Sequence, residues 1–187
     1  MPEPVTAEGR LPRWSLDTIF PGFDSDEFKE AKRALAAFAV EQKAHILSAP
    51  ADGFAGDMRA FAAWLRHMLD LRNLSGALSE TLFSYCYALY SVDTTDKRAM
   101  AELNAVEEIA VPFNLIQAMY LEALGKNEAL VRALIVSDPA LEAYRGSLED
   151  DLFWEGRHMS PAEEDLAGDL ARSGASAWGR LQEQMTS

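Results

Sequence analysis

Glu155-Gly156-Arg157-His158 has the Glu-x-x-His spacing with which helical bundles hold a pair of iron ions between carboxylates and imidazoles. That chemistry needs a second copy of the motif and two more inward carboxylates. No second copy occurs, and Gly156 with Ser160-Pro161 puts this one in a loop, so a solvated or capping histidine is expected. Glu41 and His45 stand four apart near the end of a helical stretch, where a cation complements the helix dipole. His67 lies between Arg66 and Met68 beside an apolar stripe and reads as a boundary histidine.

Three acidic clusters, Glu107-Glu108, Glu149-Asp150-Asp151 and Glu163-Glu164-Asp165, carry carboxylates that acid–base catalysis would use in pairs. Adjacent residues on a helix point about 100° apart, so the clusters read as solvated faces. The last lies in a first helical turn, which negative charge stabilises. Gly174-Ala175-Ser176-Ala177-Trp178 superficially matches a nucleophile elbow, but Trp178 replaces the second glycine, no strand precedes it and no histidine follows. Tyr85, Tyr87, Tyr90 and Tyr120 read as core aromatics, and Cys86, among Tyr85, Tyr87 and Leu89, as a buried thiol. By this reading the chain itself offers no catalytic, cofactor-binding or metal-binding residue.

The elements that position these groups are helical throughout. Ser25 or Asp26 caps a first helix whose stripe is Phe28, Ala31, Leu35, Phe38 and Ala39. Pro50 and Gly53 break the pattern, and from Met58 the stripe Met58, Phe61, Ala62, Leu65, Met68, Leu69 begins a second helix. After Gly76, Leu78, Leu82, Tyr85, Cys86 and Leu89 take one face while Phe83, Tyr87 and Tyr90 take another, which predicts a central helix buried all round. Ser91–Asp96 ends it; Asp93, Thr94 or Thr95 is expected to cap a long helix from Asp96 to about Leu124, kinked at Pro112 and closed by Gly125. Asn127–Val136, a helix opened by Asp138-Pro139 and burying Leu141, Tyr144, Leu148 and Leu152, and one opened by the capping box Ser160-Pro161-Ala162-Glu163 follow. A last helical turn or two then carries Trp178, Leu181 and Met185 inward. The expected class is all-α: a compact bundle of seven or eight helices, with residues 1–13 a flexible lead-in and residues 14–187 a single domain.

Seventeen basic against thirty acidic residues give a net charge of −13, which disfavours nucleic acid and anionic membranes as partners. No run of about 18 apolar residues could span a bilayer. Met1 to Arg13 shows no basic-then-apolar signal peptide, and one cysteine cannot form an internal disulfide, so a cytoplasmic location is expected.

Four connectors carry a resemblance. They are Trp14-Ser15-Leu16-Asp17-Thr18-Ile19-Phe20-Pro21-Gly22-Phe23-Asp24, Leu89-Tyr90-Ser91-Val92-Asp93-Thr94-Thr95-Asp96, the run from Tyr144-Arg145 through His158-Met159-Ser160-Pro161-Ala162-Glu163-Glu164, and Ser173-Gly174-Ala175-Ser176-Ala177-Trp178 with Leu181. In order and spacing they resemble the N-terminal region of oligoendopeptidase F–type zinc peptidases, relatives of thimet oligopeptidase. Ser15 stands where that family more often has Asp, and Gly179 where a polar residue is commoner.

The resemblance implies a mostly helical, two-lobed zinc endopeptidase that threads short peptides through a channel. In that family the zinc is held by a His-Glu-x-x-His helix and a further Glu, and the helix Glu activates the metal-bound water. None of that apparatus occurs here. The chain is accordingly expected to be the N-terminal, channel-forming domain in truncated form, inactive alone, with zinc in the missing catalytic lobe. Its implied partners are that lobe, an oligopeptide substrate and, through the exposed lobe-facing surface, a second copy. The alternative is a free-standing acidic helical interaction module that binds a basic partner.

Overall fold

The computed structural model describes residues 15–157 and 159–186; the expected lead-in over residues 1–13, Trp14 and His158 lie outside the described residues. Nine helical segments and no strand occur among the described residues. Helix α1 (Asp26–Leu47) starts at Ser25, whose hydroxyl accepts from the Phe28 amide at 3.2 Å, and Asp26 and Glu27 complement its dipole. It buries Phe28, Leu35, Ala39, Gln42 and Ile46 along one stripe. The loop that follows turns on Gly53 and Gly56, both at positive φ. Asn127 clamps this loop: its Oδ1 accepts from the Phe54 amide at 2.9 Å and its Nδ2 donates to the Ala123 carbonyl at 2.8 Å.

Helix α2 (Met58–Val92) runs unbroken for 35 residues. Gly76 does not divide it, because the stripes on either side share one helical phase. An interior glycine's penalty of about 1 kcal/mol is small beside the burial of Leu65, Met68 and Leu82, each contributing about 1.5–3 kcal/mol. Its second half is not buried all round as the sequence predicts. Phe83 and Tyr87 stay 40% and 42% exposed and stack on each other at 5.9 Å.

Helices α3 (Lys97–Ala110) and α4 (Pro112–Lys126) form one long helix bent at Val111. Pro112 has no amide hydrogen and occupies the first position of α4, the place in a helix where that loss matters least. The cap of α3 is Asp96, which accepts from the Arg98 and Ala99 amides, while Asp93 closes the preceding turn on Thr95. Gly125 is not the cap of α4: the helix passes through it to Asn127. A Cβ there would stand 2.5 Å from Glu155 Cδ, so the glycine admits the end of α7 instead.

Helix α5 (Glu128–Ser137) leads to the single turn α6 (Pro139–Glu142), capped by Asp138, and then to α7 (Arg145–Glu155). The sequence predicts one helix across 139–152; the structure breaks it at Ala143-Tyr144. Leu141 and Leu148 are nevertheless both buried. Helices α8 (Pro161–Ser173) and α9 (Ala175–Thr186) meet at Gly174. The Glu163 carboxylate accepts from the Ser160 amide at 2.9 Å and its hydroxyl at 2.6 Å, which holds that carboxyl below its ordinary range. With α3 and α4 counted as one bent helix and α6 as a turn, seven helices remain.

Two apolar clusters fill the interior. The first joins Phe61, Leu65 and Met68 of α2 to Tyr120, Leu121 and Leu124 of α4, with Val131, Leu134, Leu141 and Leu148 closing it. The second gathers Phe20, Phe28, Leu35, Leu82, Tyr85, Cys86, Tyr90, Leu103 and Val106. Phe113, just past the bend, packs against both. No helix among the described residues is long and apolar enough to cross a membrane.

Candidate functional site

The last two helices depart most from expectation. Trp178, Leu181 and Met185 recur on one face of α9, but that face points to solvent: Trp178 is 71% exposed and Met185 79%. The opposite, polar face is the one held to the bundle. Arg180 Nη1 donates to both carboxylate oxygens of Glu107 on α3, at 3.1 and 3.0 Å, and Gln184 reaches Met100 Sδ at 3.7 Å. Helix α8 does the same. Gly168 lies so close to α4 that a Cβ would stand 2.6 Å from Asn114 Nδ2, while Leu166 and Leu170, one turn apart, are each 60% exposed. Helix α7 adds exposed Phe153 and Trp154 near its end. Isolated exposed apolar residues need no explanation, but two consecutive amphipathic helices with their apolar stripes outward do.

The groups that could carry chemistry are dispersed. Among the described residues no three His, Cys, Asp or Glu side chains converge on a point where a metal ion would fit. Glu155 lies at the end of α7 against Gly125. Glu107 is tied to Arg180, Glu149 faces Arg145 at 3.7 Å, and Asp150 is exposed. Ser176 and Trp178 sit in the first turns of α9, preceded by helix and not by the strand an elbow requires.

Three of the four tyrosines, Tyr85, Tyr90 and Tyr120, are buried. The Tyr85 hydroxyl donates to the Phe20 carbonyl at 3.3 Å. Cys86 is buried, and desolvation pushes its thiol up to about 12.

Two assemblies lie beyond what sequence spacing reveals. His45 and His67, which sequence left unrelated, meet edge to face at 4.6 Å. His45 Nε2 lies 2.9 Å from the Trp64 carbonyl, which can only accept, so this nitrogen carries the proton. The imidazole stacks on the Trp64 indole, whose Nε1 donates back to the His45 carbonyl at 3.1 Å. Burial lowers the His45 pKa below 6.5; the bond to Trp64 opposes that, and His67 adds to it.

A base with a depressed folded pKa binds protons more readily when unfolded. Its contribution to stability is complete above pH 6.5 and is lost as the pH falls through the folded value. Denaturation midpoints should therefore fall between about pH 7 and pH 5, and His45→Gln should flatten that dependence. An unchanged slope in His45→Gln would refute the assignment.

The second assembly surrounds Tyr120. The Arg72 guanidinium lies 4.1 Å from the centre of the Tyr120 ring, donates from Nη1 to Gln117 Oε1 at 2.6 Å, and holds Nη2 3.9 Å from Asp151 Oδ2. That last gap is an ion-pair contact too long for a hydrogen bond, and both Asp151 Oδ2 and the Tyr120 hydroxyl are buried without a hydrogen-bond partner. Desolvation raises the Asp151 and Tyr120 pKa values, Asp151 against the pull of Arg72. Four positions from 72 to 151 carry no common sequence signal.

The fold thus defines an all-α domain whose last two helices turn an apolar face to solvent. Residues 124–187, from the end of α4 through α9, match the family model for oligopeptidase F, a match that supports an N-terminal domain of the M3 peptidase type. Two of the four connectors, those at Tyr144–Glu164 and Ser173–Trp178, fall inside that match; the two earlier ones lie outside it. No curated protein and no solved structure matches the chain.

Proposed function

We propose that residues 14–187 form the helical lobe of an oligopeptidase F–type zinc endopeptidase, and that the outward face of α8 and α9 is where its catalytic lobe docks. The observation that carries this is the placement of Leu166, Leu170, Trp178 and Leu181: all are exposed, and all lie in the segment that matches the family model. Apolar stripes presented outward by helices whose polar sides are pinned inward suit a surface completed by another lobe. The helical lobe would wall a channel for oligopeptides and cleave nothing alone. Zinc and the water it activates would belong to the catalytic lobe, as the resemblance implies. The setting we propose is the cytoplasm.

The test is to mix the 187-residue chain with a separately produced zinc lobe of an oligopeptidase F–type enzyme and follow binding by sedimentation. A complex should form, and Leu170→Asp or Trp178→Asp should weaken it at least about tenfold, as expected for central apolar anchors. Their melting temperatures should stay near the parent's, because both side chains are already in water. Metal-dependent hydrolysis of an oligopeptide by the chain alone, with contaminating proteases excluded, would overturn the proposal. So would failure of the two lobes to associate.

A further inference from the structure

We infer that α9 has a second seat on the bundle, reached by rolling about its own axis and burying Trp178 in the cavity beside Phe83. The Glu107–Arg180 ion pair holds it out of that seat. The side of α9 that faces the bundle carries Ala177, Arg180 and Gln184. The outward stripe is Trp178, Leu181 and Met185, in each case the next residue along. Successive residues of a helix stand about 100° apart. A single roll of that size therefore exchanges one triplet for the other and leaves the helix intact.

The structure offers the turned face a destination. A cavity of about 370 Å³ lies between α2, the α3–α4 bend and the α8–α9 corner, with Phe83, Val106, Ala110 and Val111 among its walls and Ser176 of α9 at its edge. Pockets of that size accept drug-sized ring systems, and an indole against the exposed Phe83 ring is a favourable aromatic contact. The indole N–H needs an acceptor when buried, and Glu107 lines the same cavity. The corner is built to pivot. A Cβ at Gly174 would stand 2.9 Å from the Leu170 carbonyl oxygen, so the chain turns from α8 into α9 through a residue without a side chain.

The balance between the two seats turns on one carboxylate. The outward seat leaves three apolar side chains in water but keeps Glu107 and Arg180 paired, and both of those side chains are mostly buried. The rolled seat covers the apolar stripe and strands the Glu107 charge, whose desolvation is then uncompensated. Neutralising Glu107 removes that cost and leaves the gain, so the rolled seat should take over. A helix that has rolled presents no apolar stripe, and docking on it is weakened by the fraction still turned outward. The inference rests on the docking reading for what the outward face is used for; the two seats do not depend on it.

The test labels the 187-residue chain with fluorotryptophan and assigns the Trp178 fluorine resonance by its loss in Trp178→Phe. In the parent a soluble nitroxide should broaden the Trp178 line strongly and the line of buried Trp64 little. In Glu107→Gln, which keeps an acceptor for the indole, the Trp178 broadening should drop at least about threefold as the rolled seat becomes the major one. Reversing the pair, Glu107→Arg with Arg180→Glu, should restore the parent's broadening. Ala110→Leu, which narrows the cavity, should restore it when added to Glu107→Gln. Glu107→Gln should also bind the zinc lobe more weakly than the parent by at least the same factor. Equal broadening in the parent and Glu107→Gln, shielding that survives either restoring change, or a shielded variant that binds the lobe as tightly as the parent would each overturn the inference. If the lobe binds none of these chains while the fluorine results come out as expected, the docking reading fails and the two seats stand.

Discussion

Arg72→Met is expected to lower the unfolding free energy by about 3 kcal/mol, measured by urea denaturation at neutral pH. Breaking a buried ion pair by removing one partner typically costs about 3–5 kcal/mol, because the other charge is stranded. Here the figure belongs at the low end, since the Arg72 and Asp151 side chains retain 26% and 15% exposure and their charged atoms stand 3.9 Å apart. The contact over the Tyr120 ring and the bond to Gln117 disappear as well, and a partly desolvated cation–π contact adds about 1 kcal/mol.

If the stranded carboxylate dominates, adding Asp151→Asn to Arg72→Met should recover at least half of the loss. If packing over Tyr120 dominates, the double variant stays as unstable as the single one. The pH dependence gives an independent check. The Asp151 pKa is raised by burial, so its ionisation opposes folding: the penalty is absent below the ordinary carboxylate range and grows as the pH rises through the folded value. Arg72→Met removes the largest of the influences that pull that pKa down, ahead of Tyr120 and Gln117, so its penalty should grow with pH more steeply than in the parent.

Sequence patterning succeeds here wherever one residue's local chemistry decides the outcome. Ser25 caps α1, Pro112 bends the long helix, Asp138-Pro139 opens α6, and Ser160 with Glu163 opens α8, each because backbone donors within four residues need a partner or are missing. It fails where a distant contact decides. Gly76 and Gly125 look like helix breaks, yet in α2 the burial on both flanks overrides the glycine, and in α4 the glycine makes room for Glu155 thirty residues on. The stripe of Trp178, Leu181 and Met185 was legible as a stripe, but periodicity reports which face is apolar and not which is covered. What turned α9 over is Arg180 meeting Glu107, 73 positions away. The candidate face was therefore visible in the residues and misplaced in orientation. The Arg72 assembly, built from several helices, could be recognised only in three dimensions.

Phe28→Ala should destabilise the second apolar cluster by about 3–4 kcal/mol, and Cys86 supplies a local readout. Phe28 is fully buried, its ring edge-on to Phe20 at 5.4 Å and to Phe23 at 5.3 Å, with the Tyr85 ring 5.7 Å away. Removing a buried phenyl costs the transfer of its atoms and the cavity left behind, about 3–5 kcal/mol in well-packed sites. Cys86 is in the same cluster, and only its thiolate attacks a disulfide reagent, so in the native state burial suppresses both access and ionisation. Labelling must wait for an opening. A loss of about 3 kcal/mol in the stability of that opening unit should raise the labelling rate roughly a hundredfold.

The informative comparison is Leu124→Ala, a similar loss in the first cluster. If the first half of α1, α3 and the Phe20 turn open as a unit of their own, Leu124→Ala should leave Cys86 labelling under native conditions nearly unchanged. We expect that result, because among the partly buried side chains of the described residues only Phe113 packs against both clusters. Equal acceleration by both variants would instead mean that α1 and the unbroken 35-residue α2, which each contribute to both clusters, make them a single cooperative unit.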